Sequence, residues 1–140
     1  MRSKFPAVQV NIVEGSDNAL RQLLEAGGID CCLFHGDHSK LDWVPLGRQE
    51  IVAWLPSSSE LTKYPQVLLA ELDGKPYVRI HPEEGDTYTK LFEARGLEPD
   101  VRFTVSDCYT AFRLVSAGLA HTLCVRGLDE LWSGSVAVRS

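Results

Sequence analysis

Apolar and polar residues alternate over Val8-Gln9-Val10-Asn11-Ile12-Val13, a pattern that predicts a half-buried strand. Glu14-Gly15-Ser16-Asp17 ends it, and Ser16 or Asp17 can cap the next helix by accepting a backbone N–H. Ala19, Leu20, Leu23 and Leu24 then recur at helical spacing until Gly27-Gly28 stops the helix. Ile29 to Phe34 reads as a short apolar strand that runs into a polar loop, His35-Gly36-Asp37-His38, and Leu41 to Leu46 reads as a connector. Gln49 to Pro56 is a strand with a stop, and Val67 to Leu72 a helical turn closed by Asp73-Gly74. From Pro76 to Pro82 the alternation returns, with Val78 and Ile80 on one face and Tyr77, Arg79 and His81 on the other. A helix over Asp86 to Arg95 ends at Gly96, and Val101, Phe103 and Val105 mark another strand. Ser106 or Asp107 caps a helix carrying Phe112, Leu114 and Val115 that ends at Gly118. His121 to Val125, a turn at Leu128 to Leu131, and Val136 to Val138 complete the chain.

Strands and helices thus alternate with short loops, which predicts an α/β fold with mainly parallel pairing. The 140 residues suit one domain or two small lobes. With 44% apolar and 24% charged residues, the composition excludes disorder and low complexity. The net charge is −5 with acidic excess in both halves, so the chain carries no basic surface for gripping nucleic acid alone. No apolar run reaches the length of a membrane span and no signal-peptide core follows Met1, so a cytoplasmic location is expected.

In an open α/β sheet, ligands sit outside the carboxyl ends of the strands. The segments there are Gly15-Ser16, His35-Gly36-Asp37, His81 to Gly85, and Ser106-Asp107. Three lead into helix N-termini, where free N–H groups and the helix dipole favour an anion. Arg79 can hold a carboxylate through two parallel hydrogen bonds, although a strand arginine also suits a solvated face. Glu83, Glu84 and Asp86 weigh against an anion, unless they merely complement the dipole. The candidate ligand-binding residues are Gly15, Ser16, His35, Arg79, His81 and Ser106. No GxSxG, GxxxxGK[ST], GxGxxG or HExxH signature is present, so no catalytic residues are assigned and no enzyme is expected. His35, Asp37 and His38 lack a fourth converging ligand, so no metal and no cofactor are expected. Cys31, Cys32, Cys108 and Cys124 show no CxxC spacing and read as free cysteines in a reducing compartment.

Phe5-Pro6-x-Val8-x-Val10, Glu14-Gly15-Ser16, Leu20, Leu24 and Gly28-Ile29-Asp30 together resemble the effector-binding domain of LysR-type transcriptional regulators. Pro45-Leu46, Ile51 to Pro56, Leu69-x-x-Leu72-x-Gly74-x-Pro76-Tyr77, Gly96-Leu97-x-Pro99 and Leu114 to Ala120 continue the match in order. The resemblance implies a type 2 periplasmic-binding-protein-like fold: two α/β lobes with an effector in the interlobe cleft. By analogy the first lobe takes residues 1–46 plus 123–140 and the second 47–122. The positions like Ser16 and Ser106, and the loops around His35 and His81, border that cleft. Population shift on closure would then be transmitted to a dimer interface.

The first lobe is expected to be incomplete, since the family's opening strand of that lobe is not matched. Its open sheet edge would be covered by a partner subunit, giving a homodimer or homo-oligomer. DNA contact is expected only through a helix-turn-helix domain absent from this chain. Two alternatives remain. One is a stand-alone small-molecule binding protein without DNA binding. The other is a cysteine-based redox sensor using Cys108 or Cys124. Some family members sense peroxide through paired cysteines, but a 16-residue separation in apolar settings does not suggest that pair here.

Overall fold

The structure is a computed structural model that describes residues 4–34, 40–81 and 87–140. It divides into two compact units, Met1–Leu46 and Gly47–Ser140.

In the first unit, α1 (Asp17–Glu25) begins where the pattern placed it. Ser16 is the cap: its Oγ accepts from the Ala19 N–H at 3.3 Å. The helix closes with Gly28 N–H donating to Leu23 O at 2.8 Å, across Gly27 at φ 73°. That left-handed turn is open to glycine at little steric cost. Residues 8–13 form no strand. A strand needs a ladder partner for its N–H and C=O groups, and among the described residues this segment has none. Val8, Val10, Ile12 and Val13 are accordingly exposed. The strand expected over Ile29 to Phe34 is likewise absent among its described residues.

The second unit holds β1 (Ile51–Pro56), β2 (Pro76–Ile80), α2 (Thr87–Glu93), β3 (Asp100–Val105), α3 (Cys108–Ser116), β4 (Thr122–Val125) and β5 (Val136–Arg139). β1 lies between β4 and β5 and runs antiparallel to both, whereas β2 and β3 form a parallel pair. The two sheets meet at one parallel bridge, Tyr77 to His121. There the Val78 N–H donates to His121 O at 2.8 Å and the His121 N–H to Pro76 O at 2.7 Å. The expectation of mainly parallel pairing therefore fails for β1. A continuous apolar run such as IVAWLP is usual for a parallel strand, but here it reports only burial on both faces, and strand direction follows from the path of the connections.

The sequence reading groups residues 123–140 with residues 1–46; Leu123 to Val125 and Val136 to Arg139 pair with β1. The reason is that β1 is buried from Val52 to Pro56, and a strand buried on both faces needs neighbours on both edges.

β1 separates two packed layers. Ala53 and Leu55 join Leu61, Leu72, Tyr77, Phe92 and Leu123 on one side. Val52 and Trp54 join Phe112, Val115 and Cys124 on the other. Phe92 brings α2 to the first layer, and Phe112 with Val115 brings α3 to the second. Val78 and Ile80 pack with Ala111 and Ala120, so β2 is pinned under α3 at its carboxyl end.

Candidate functional site

The carboxyl ends of the parallel strands β2 and β3 converge on the start of α3. Arg79 pairs with Thr104 and Ile80 with Val105 along the ladder. The register carries on for one residue, as the His81 N–H donates to Val105 O at 2.9 Å. His81 takes φ 53°, the one non-glycine residue with positive φ among those described. That conformation is rare for a side chain with a Cβ and marks a backbone held by its surroundings.

Of the two capping candidates at α3, the structure selects Asp107. Its Oδ1 accepts from the Thr110 N–H and its Oδ2 from the Thr110 hydroxyl, both at 2.8 Å. These bonds, the backbone one foremost, hold the Asp107 carboxyl below its ordinary range. Ser106 is thereby released from capping. It stands exposed beside His81, with no side-chain hydrogen bond among the described residues.

Arg79 is the more informative residue. It is half-buried, and its Nε is enclosed with no hydrogen-bond partner among the described residues. A buried guanidinium N–H without an acceptor is costly. Two other arginines of this unit, which line a hollow, are already engaged. A broad hollow of about 480 Å³ is lined by Thr62, Tyr64, Arg126 and Arg139 among others. Yet Arg126 grips Glu50 at 2.6 and 2.9 Å, and Arg139 donates to the Thr62, Tyr64 and Val138 carbonyls at 2.8 Å.

The structure thus brings together Arg79, His81 and Ser106 at one strand-end edge. Gly15 and Ser16 lie together at the start of α1 in the first unit, where the Ser16 oxygen is used as a cap. Gly15 has no positive φ, and a Cβ there would meet Leu20 only at ordinary contact distance, 3.6 Å. His35 lies outside the described residues, as do Glu83, Glu84 and Asp86. No group of three or more His, Cys, Asp or Glu suited to a metal occurs among the described residues. No described helix is long and apolar enough to cross a membrane.

One buried polar relay was not anticipated. His121 links three elements: Nε2 lies 2.9 Å from Ser59 Oγ and Nδ1 lies 3.1 Å from Pro76 O. A carbonyl can only accept, so Nδ1 carries the proton and Nε2 accepts from the Ser59 hydroxyl. Burial, and to a lesser degree Lys75, pushes the His121 pKa below its usual 6.5, against the pull of the Pro76 carbonyl. The fold therefore keeps the ring neutral. As pH falls below about 6.5, the unfolded chain takes up a proton that the folded chain resists, so stability is full above that pH and drains below it. The melting temperature is expected to fall as the pH drops below about 6.5, with that slope reduced in His121→Gln.

The family described as the LysR substrate binding domain matches residues 1–140. The HTH-type transcriptional regulator TtuA of Agrobacterium vitis is 28% identical over 144 residues, covering 98% of this chain and 46% of TtuA. AlsR of Bacillus subtilis, also named an HTH-type transcriptional regulator, is 24% identical and covers 99% of this chain and 48% of its own. The chain thus spans about half the length of these curated relatives. The crystal structure of HinK, a LysR family transcriptional regulator from Pseudomonas aeruginosa, superposes with a TM-score of 0.84. It is 27% identical and covers 99% of this chain and 51% of that one.

Proposed function

The chain belongs to the LysR substrate-binding-domain family, and from that premise we propose that it senses a small carboxylate-bearing effector through Arg79, Ser106 and His81. Its fold is α/β and periplasmic-binding-protein-like, and its relatives are transcriptional regulators rather than enzymes.

The observation that carries the proposal is Arg79. Its Nε is enclosed and lacks an acceptor among the described residues, at the carboxyl end of β2. Reaching Nε requires its surroundings to part; a carboxylate can then accept from it and from a second guanidinium N–H in the planar two-bond geometry. Ser106 adds a hydroxyl donor that Asp107 has freed from capping.

Gly15, Ser16 and His35 are the candidates that the sequence places in the first unit, and the proposal does not rest on them. The Ser16 oxygen accepts from α1, which leaves its hydroxyl proton available to a ligand oxygen. In the whole regulator, effector binding would bias one of two conformations and pass that bias to a dimer interface. DNA would be reached through a helix-turn-helix carried elsewhere in that regulator, in the cytoplasm.

The test is a thermal melt of the chain against small carboxylates, each paired with its methyl ester or amide. A ligand at a hundredfold over its Kd adds about 2.7 kcal/mol of stability, which is several degrees for a protein of this size. The expected hit raises the melting temperature as the acid and not as the neutral analogue. A set of hits dominated by uncharged ligands would sink the carboxylate reading.

A further inference from the structure

Cys108 and Cys124 are brought into contact by the fold. Cys108 is the first residue of α3 and Cys124 the third of β4, and their sulfurs lie 3.9 Å apart, with the Cys124 thiol donating to Cys108 Sγ. Cys124 is buried in the layer of Trp54, Phe112 and Val115, whereas Cys108 sits at the margin of that layer and is partly open to solvent. We propose that Cys108 and Cys124 form a peroxide-responsive site that closes reversibly into a disulfide.

Three features support it. The sulfurs need approach by only about 1.9 Å to reach bonding distance. The two thiols have different surroundings, one accessible and one enclosed, which suits an attacking and a resolving partner. The attacking sulfur also stands at a helix N-terminus, where unpaired N–H groups favour a thiolate. The Cys124 hydrogen bond lowers the Cys108 thiol below its ordinary value, outweighing burial and the neighbouring Asp107 carboxylate. The same bond, with burial, keeps Cys124 protonated.

The chemistry balances with a hydroperoxide as oxidant. The Cys108 thiolate sulfur attacks one peroxide oxygen, the O–O bond breaks, and the alcohol (water, for hydrogen peroxide) leaves. The resulting Cys108 sulfenic acid is then attacked by the Cys124 sulfur. The S–S bond forms, the S–O bond breaks, and the departing hydroxide takes the Cys124 proton as water. Two thiols are oxidised by two electrons and one peroxide is reduced. Because Ser106 lies two residues before Cys108, the bond would also reach the effector site. That consequence rests on the effector reading, whereas the bond itself does not.

The experiment exposes the full chain to hydrogen peroxide, blocks the remaining thiols with iodoacetamide under denaturing conditions, and maps the peptides by mass. The expected product is a cross-linked peptide pair joining Cys108 to Cys124, lighter by two hydrogens and lost on treatment with dithiothreitol. Cys31 and Cys32 serve as internal controls and are expected to be alkylated. Cys124→Ser should leave a dimedone-reactive adduct at Cys108. Should that variant not fold, the map of the unaltered chain decides alone. Cys108 and Cys124 both recovered alkylated after peroxide in molar excess over the thiols would overturn the proposal. So would a predominant link from either one to Cys31 or Cys32.

Discussion

Trp54→Ala is expected to lower stability by about 3–5 kcal/mol, the range for emptying a large aromatic site in a packed core. Trp54 is fully buried on β1, the central strand of its sheet. Its ring meets Phe112 edge-on with centroids 5.6 Å apart, and Trp132 likewise at 6.3 Å. Tyr109 and Phe112 in turn lie 5.5 and 5.4 Å from Trp132. Removing Trp54 therefore empties the middle of an aromatic group whose other rings are fixed from α3 and from the segment before β5. Relaxation into the hole is limited, because β1 is held by ladders on both edges. For a unit the size of Gly47–Ser140 the loss corresponds to a fall in melting temperature of roughly 12 °C or more.

Trp54→Phe is the informative partner. The indole Nε1 is buried and has no hydrogen-bond partner among the described residues. Phenylalanine removes that uncompensated N–H while keeping most of the ring, so it should cost less than half as much as alanine. Urea unfolding followed by circular dichroism measures both. A loss under about 1 kcal/mol in Trp54→Ala would show that this layer is not the core of the unit.

The second large effect is on ligand affinity. Arg79→Ala is expected to weaken a carboxylate effector by about 10- to 150-fold, which corresponds to one or two charge-assisted hydrogen bonds of roughly 1.5–3 kcal/mol. The variant should melt at or slightly above the temperature of the parent chain, because it deletes a guanidinium N–H that is enclosed without an acceptor. Arg79→Lys keeps the charge but loses the planar two-bond geometry, so it should recover only part of the affinity. Titration calorimetry with a hit from the melt reads all three proteins. Full affinity in Arg79→Ala, with the fold intact, would remove Arg79 from the site and with it the argument for a carboxylate.

Much of the second unit is written in local patterns. IVAWLP is apolar at every position after Ile51 and must be a buried strand. PYVRI alternates, so its faces follow from period two: Val78 and Ile80 go under α3 and Tyr77 packs on Phe92 with centroids 5.3 Å apart. The ends of α1 and α3 were readable from their cap and glycine residues, because capping acts within four residues. Residues 8–13 show the limit of the same logic. Their alternation is a strand signal, but alternation states only which face would be buried, and no partner strand is present among the described residues to realise it.

The candidate site divides along the same line. Its address, the carboxyl ends of strands leading into helix N-termini, was legible because element order fixes which loops lie there. The selection of Asp107 over Ser106 as cap was not, since both residue types accept from a helix N–H and only the backbone path decides which oxygen reaches Thr110. Nor was the solitary state of the Arg79 Nε, which depends on every neighbour in space.

Fold class, the element order of the second unit, the two helix caps within one residue, and the absence of enzyme signatures are thus properties of the chain as written. They rest on interactions between residues a few positions apart, or on residue types alone. The antiparallel setting of β1 between β4 and β5 joins segments up to 86 positions apart. The Ser59–His121–Pro76 relay, the contact of Cys108 with Cys124, and the fit of Gly134 are of the same kind. A Cβ on Gly134 would stand 2.7 Å from the fixed ring of Phe112, a clash between residues with no pattern in common. Such contacts arise where separate elements cross. Their energy depends on distances of a few tenths of an ångström, which no local periodicity encodes and only the packed chain sets.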